Sequence, residues 1–236
     1  MRDNFPLRAR VRENPPRWAD ETIRPWDEAL FSRLEPFRTR VYWTDQGSVN
    51  VFRVVGTQHP DYAGRTWSWF LEGGKRMEAN LALLERNPAY YDDTEPKRPS
   101  MYYVSMDGTD WYVGSDGNHR TCIARFLFAE TGRTMLHGVH LADYRFDHEL
   151  HRLYLRLTEL ARRADPAILV EPVNRAVGRD DTPGWKLDYF EPRIRFVDPA
   201  EGLDERLDAD GARRIIGWLR EERGRRGWFR LRRRAS

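Results

Sequence analysis

Trp111-Tyr112-Val113-Gly114-Ser115-Asp116-Gly117-Asn118-His119-Arg120-Thr121 is the stretch whose reading decides the fold. A β-rich run ends at Val113, and the chain then turns through two glycines. From Asn118 to Glu130 the residues Ile123, Ala124, Phe126, Leu127 and Phe128 make the next segment apolar nearly all round, which predicts a buried helix. Gly132 stops it. Upstream, Met101 to Met106 and Trp111 to Val113 flank Asp107-Gly108-Thr109-Asp110. Asp-Gly supplies the positive φ of a tight turn, so the two runs predict a hairpin.

A strand that turns through Gly-Ser-Asp-Gly into a helix has the ingredients of an anion site. Glycines let the backbone turn tightly, the first helical N–H groups lack partners, and a cation lies beside them. In this reading Gly114, Ser115, Gly117, Asn118, Arg120 and Thr121 hold a phosphate. Arg120 clamps its oxygens and Ser115 and Thr121 add hydroxyls. His119, Arg120 and Asp116 are the candidate catalytic residues. His119 donates a hydrogen bond or moves a proton near neutral pH. Asp116 orients His119, holds a divalent ion together with the phosphate, or caps the helix. The competing reading is ordinary turn-and-cap chemistry.

The rest of the chain extends an α+β pattern. Residues 1–39, with Pro15-Pro16, Pro25 and Pro36, read as an irregular arm with a short helix near Trp26 to Leu34. Arg40 to Trp43 and Val49 to Val55 read as a hairpin around Gly47. Lys75 to Arg86 carries Met77, Leu81 and Leu84 at helical spacing. Gly138 to Leu141 reads as a strand, and Asp147 to Arg163 as an amphipathic helix with an Asp N-cap and arginines in its last turn. Trp185 to Val197 predicts a strand pair, or a strand and an extended edge, around Glu191-Pro192. A last helix covers Asp210 to Arg223. These elements place one domain over residues 40–222, followed by a basic tail over 223–236.

Composition narrows the function classes. In 236 residues, 40% apolar content with nine Trp, ten Tyr and eleven Phe is enough for a packed core. No apolar run approaches the roughly 20 residues that span a bilayer, and the N-terminus lacks the apolar stretch of a signal peptide, so the cytoplasm is the expected compartment. Cys122 is the only cysteine and excludes an internal disulfide. The net charge of +3 is unevenly spread, with ten arginines between Arg213 and Arg234 against Glu221 and Glu222. Such a run attracts DNA or an acidic partner through salt-sensitive electrostatics, or only solubilises the chain. Five of the six histidines lie between His119 and His151, without the spacing of a zinc site. Gly73-Gly74-Lys75-Arg76 repeats the logic of glycines, helix start and positive charge, as a second phosphate contact or a plain helix start. Trp67 and Trp69 read as one face of a strand or turn against the core.

The run Tyr112 to Thr121, after a strand and before a buried helix, resembles the signature loop of the ParB/sulfiredoxin superfamily, where a D-G-x-H-R or G-x-x-R loop binds nucleotide phosphates. The resemblance covers about Val49 to Tyr144. It implies a small mixed sheet with packed helices, ATP or another nucleoside triphosphate as ligand, with magnesium, and hydrolysis of the ATPase or DNase type. Asn118 stands where sulfiredoxins have their catalytic cysteine, so that reductase chemistry is not implied. Neither the second phosphate motif nor the helix-turn-helix of chromosome-partitioning ParB follows Leu141. A compact chain of this kind is similar to plasmid fertility inhibition factors of the Osa type. That similarity implies a protein partner in a conjugative or type IV secretion apparatus. The alternative is a non-catalytic protein that blocks a partner or binds DNA through its basic surface.

Overall fold

A computed structural model describes residues 5–232, with side chains as far as Glu221. In chain order the elements are α1 (Pro6–Glu13), β1 (Arg24–Pro25), α2 (Glu28–Leu34), β2 (Arg38–Asn50), β3 (Val54–Thr57), α3 (Trp67–Gly73), α4 (Met77–Arg86), β4 (Tyr102–Ser105) and β5 (Trp111–Val113). They continue with α5 (Asn118–Thr131), β6 (Met135–Phe146), α6 (His148–Ala164), β7 (Leu169–Thr182), β8 (Trp185–Asp198), β9 (Leu203–Leu207) and α7 (Ala209–Arg232). The protein is α+β with a mixed sheet. Where one domain was expected over 40–222, contacts divide the chain into two compact units. The first comprises the described residues up to 28, with 41–144 and 180–187; the second comprises 29–40, 145–179 and the described residues from 188 on. Among the described residues no helix is long and apolar enough to cross a membrane.

In the first unit the strands run in the order β1-β3-β5-β4-β6-β2. The β4–β5 hairpin is antiparallel, with Tyr103 opposite Val113, as the Asp-Gly turn predicts. The pairs β1–β3, β3–β5 and β4–β6 are parallel. The helices α1, α3, α4 and α5 bury Leu7, Phe70, Met77, Leu81, Ile123 and Phe126 in one core with Tyr103, Val113 and Leu141 of the sheet. In the second unit, α6 and α7 bury Leu150, Leu157, Leu160, Ile215 and Leu219 with Ile194 and Phe196 of β8. Asp147 caps α6, accepting the Leu150 N–H at 2.8 Å, as its position before the apolar stripe predicts.

Several elements differ from the expectation, each for a local reason. The arm is not irregular throughout, since α1 forms with Pro6 in its first turn. The two runs around Gly47 are one strand, β2. A Cβ at Gly47 would stand 2.6 Å from Thr44 Cγ2 and 2.7 Å from Leu141 Cδ1, so this glycine makes room for neighbours inside a strand rather than turning the chain. Val51–Arg53 is a 3₁₀ turn, after which β3 pairs with β1 and β5. Trp67 and Trp69 lie on a helix, because Thr66 caps it through Oγ1 to the Trp69 N–H at 3.1 Å. The segment around Pro192 is a single strand, β8, beside β7. α7 continues past Arg223 to Arg232, and the tail side chains from Glu222 onward lie outside the described residues.

One buried cation fixes α5 in this framework. Arg125 donates to the carbonyls of Val51 at 3.0 Å and Val54 at 2.6 Å, across from the 3₁₀ turn and β3. Its guanidinium lies 4.5 Å from the Trp18 ring and 4.3 Å from the Trp67 ring. Burial pushes its pKa down to about 10, still well above neutral, so it remains charged. Arg125→Ala removes the aromatic contacts, leaves a cavity, and takes a donor from each of the Val51 and Val54 carbonyls, the first of which keeps the Val54 N–H. It should cost about 3 kcal/mol or more, by analogy with other broken buried charge networks. Urea unfolding followed by tryptophan fluorescence measures this, and a loss below about 1 kcal/mol, the size of an ordinary surface effect, would contradict it.

Candidate functional site

The loop between β5 and α5 is held by the sheet at both of its ends. Gly114 N–H donates to Tyr102 O at 2.7 Å and Tyr102 N–H donates to Asp116 O at 3.0 Å, so pairing with β4 continues beyond Val113. At Gly117 the backbone takes φ +119°, and a Cβ there would lie 3.2 Å from Met101 Cβ. Positive φ and this close approach both favour glycine, and together they turn the chain into α5. Thr57 Oγ1 then donates to Asn118 Oδ1 at 2.6 Å, tying the end of β3 to the first residue of the helix. Thr121 is fully buried, its hydroxyl donating to Gly117 O at 2.8 Å and accepting from Tyr103 Oη at 2.7 Å.

In front of this turn lies a cavity of about 540 Å³. Six of the proposed site residues line it: Ser115, Asp116, Gly117, Asn118, His119 and Arg120. Gly114 and Thr121 lie outside the lining, Gly114 against Tyr102 and Thr121 beneath the helix. The rest of the lining includes Arg76 and Asn80 at the start of α4, Arg86 at its end, and Tyr90 and Arg98 between α4 and β4. The Gly73–Arg76 segment thus reaches the same cavity as the β5–α5 loop. Arg86 and Arg98 are cavity residues that the sequence reading did not single out. Nothing local marks them, since each is one arginine among many; α4 carries Arg86 here, and Arg98 is carried by the segment before β4, whose Pro99 carbonyl accepts from Arg120.

Arg120 is the best-anchored side chain of the site. It donates to Tyr90 Oη at 2.7 Å, to Ser100 O at 3.0 Å and to Pro99 O, and it pairs with Asp116 Oδ2 at 3.0 Å. Burial by itself would lower its pKa, but Tyr90 and Asp116 more than offset this and leave it raised. The arginine is a fixed cation whose bonds mostly serve the fold. Asp116 also accepts the Gly117 N–H at 2.6 Å. Arg76, Arg86 and Arg98 have no ion-pair partner among the described residues, so the charged lining is four arginines against one carboxylate.

His119 is pinned as well. Its Nε2–H donates to the Lys75 carbonyl at 2.5 Å, while the ring packs 5.1 Å from Phe70 and edge-on to Tyr62. Because a carbonyl only accepts, Nε2 carries the proton in this arrangement. Burial lowers the His119 pKa, outweighing the Lys75 bond that raises it, so the ring is neutral at pH 7. Cys122, one turn along, is fully buried, and burial pushes its thiol far up, which leaves it no nucleophilic role.

No family model, curated protein or solved structure matches this chain.

The lowered His119 pKa fixes the sign of a pH effect. A neutral ring favoured by folding contributes stability that is complete above the unfolded pKa of about 6.5 and lost as pH falls through the lower folded value. His119→Gln keeps an N–H for the Lys75 carbonyl but cannot titrate. Urea midpoints should therefore fall less between pH 7 and pH 5 in the variant than in the wild type. Parallel pH profiles would contradict this account of the ring.

Proposed function

We propose that this cavity binds a phosphorylated ligand of nucleotide size. The observation that carries the reading is the convergence of Arg76, Arg86 and Arg98, unpaired among the described residues, on the turn where α5 begins, with Asp116 the only carboxylate in the lining. Guanidinium groups bind phosphate oxygens bidentately, and the first amides of α5 add donors and a favourable dipole. The volume of about 540 Å³ lies within the range usual for small-molecule sites. Aromatic surface for a base or sugar is limited to His59, a half-buried ring in the lining that stacks at 4.5 Å on the buried Tyr62. The resemblance of this loop to the nucleotide-phosphate loop of the ParB/sulfiredoxin superfamily points the same way.

The reading is of binding rather than turnover. What the lining offers is charge for a phosphate; the Lys75 bond holds the His119 Nε2–H and leaves Nδ1 as the ring's acceptor, and no role in turnover is assigned to it or to Asp116. The expected ligand is therefore a nucleoside triphosphate or a nucleic-acid phosphate held by arginine. Titration calorimetry with ATP and CTP at fixed salt, with and without magnesium, tests this. Arg86→Ala combined with Arg98→Ala should weaken binding by about tenfold or more, the loss expected for charge-assisted hydrogen bonds. Equal affinity in the wild type and the double variant would overturn the assignment of the site.

A further inference from the structure

Asp116 occupies donors of the kind that a phosphate uses. Oδ1 takes the Gly117 amide at 2.6 Å and Oδ2 takes an Arg120 N–H at 3.0 Å. These are a backbone donor at a helix start and a guanidinium, the pair of groups that bind oxyanions in many sites. The carboxylate is also the solvent-facing partner, with its side chain 54% exposed against 12% for Arg120. If Asp116 swings away, water solvates it, and Arg120 stays in place through Tyr90 Oη, Pro99 O and Ser100 O. One Arg120 N–H and the Gly117 amide are then left aimed into the cavity. Reorganising the site is cheap because only one exposed side chain has to move.

We propose that Asp116 is an internal stand-in for the ligand's phosphate, occupying the anion position in the free protein and competing with the ligand for it. This rests on the reading of the cavity as a phosphate site. It gives Asp116 the role of setting affinity, in place of the metal-holding or proton-handling role expected for a carboxylate beside a phosphate. A ligand must outbid a carboxylate that is already tethered, and this displacement cost is common to every anion that takes the position.

The test is calorimetric binding of inorganic pyrophosphate, in chelator, to the wild type, Asp116→Asn and Asp116→Ser. Both substitutions keep an acceptor for the Gly117 amide and remove the charge, and melting curves confirm that each variant is folded. Losing the competing charge-assisted bond should tighten pyrophosphate binding by about tenfold. Unchanged or weaker binding in the folded variants, with the wild type still binding, would overturn the stand-in role and leave the cavity assignment intact. No binding by any of the three proteins would overturn the cavity assignment, and the stand-in role with it.

Discussion

The guanidinium of Arg120 is the interaction on which the site depends. It joins three stretches that are distant in sequence: the first turn of α5, the Tyr90 segment after α4, and the Pro99–Ser100 approach to β4. Each of its bonds also satisfies an acceptor, so the cavity wall is made by hydrogen bonding as much as by apolar packing. Buried polar networks of this sort rigidify when all their members are paired. Arg125 anchors the helix one and a half turns further along, where Nη1 reaches the carbonyls of Val51 and Val54 and Nε is left without a hydrogen-bond partner. A helix held by two arginines at fixed points along its length presents its first turn to the cavity in a defined orientation.

That arrangement alters the roles open to the residues of the loop. A sequence pattern of glycines, His and Arg suggests that the histidine and arginine reach for the ligand. In the structure both are largely committed to carbonyls, and Asn118 and Thr121 to hydroxyl partners. The loop builds a site more than it supplies one. Most of the positive charge in the cavity lining comes from Arg76, Arg86 and Arg98.

The parts of this architecture that were legible in the sequence are those set by neighbouring residues. The β4–β5 hairpin followed from Asp-Gly, α6 from its apolar stripe and Asp147, and the end of α5 from Gly132, which adopts φ +70°. What was not legible depends on distant packing. Gly47 reads as a turn until Leu141 is seen against it, and β3 reads as the partner of β2 until the 3₁₀ turn carries it to β5. Trp67 and Trp69 have β propensity, yet the Thr66 cap and the burial of Phe70 and Leu71 make the segment helical. Thr66 was a usable signal, because a threonine immediately before an apolar run is a common helix start. Arg86 and Arg98 offered no such signal, and their place in the cavity is a property of the fold alone.

The central claim is that phosphate is recognised where α5 begins, by the arginines that line the cavity there. Backbone amide NMR of the labelled protein, titrated with ATP at physiological salt, tests it most directly. The account predicts shifts concentrated at Ser115 to Arg120 and at Arg76, with the amides of α6 unmoved. Shifts confined to the arginine-rich segment after Glu222, or spread evenly over the surface, would contradict it.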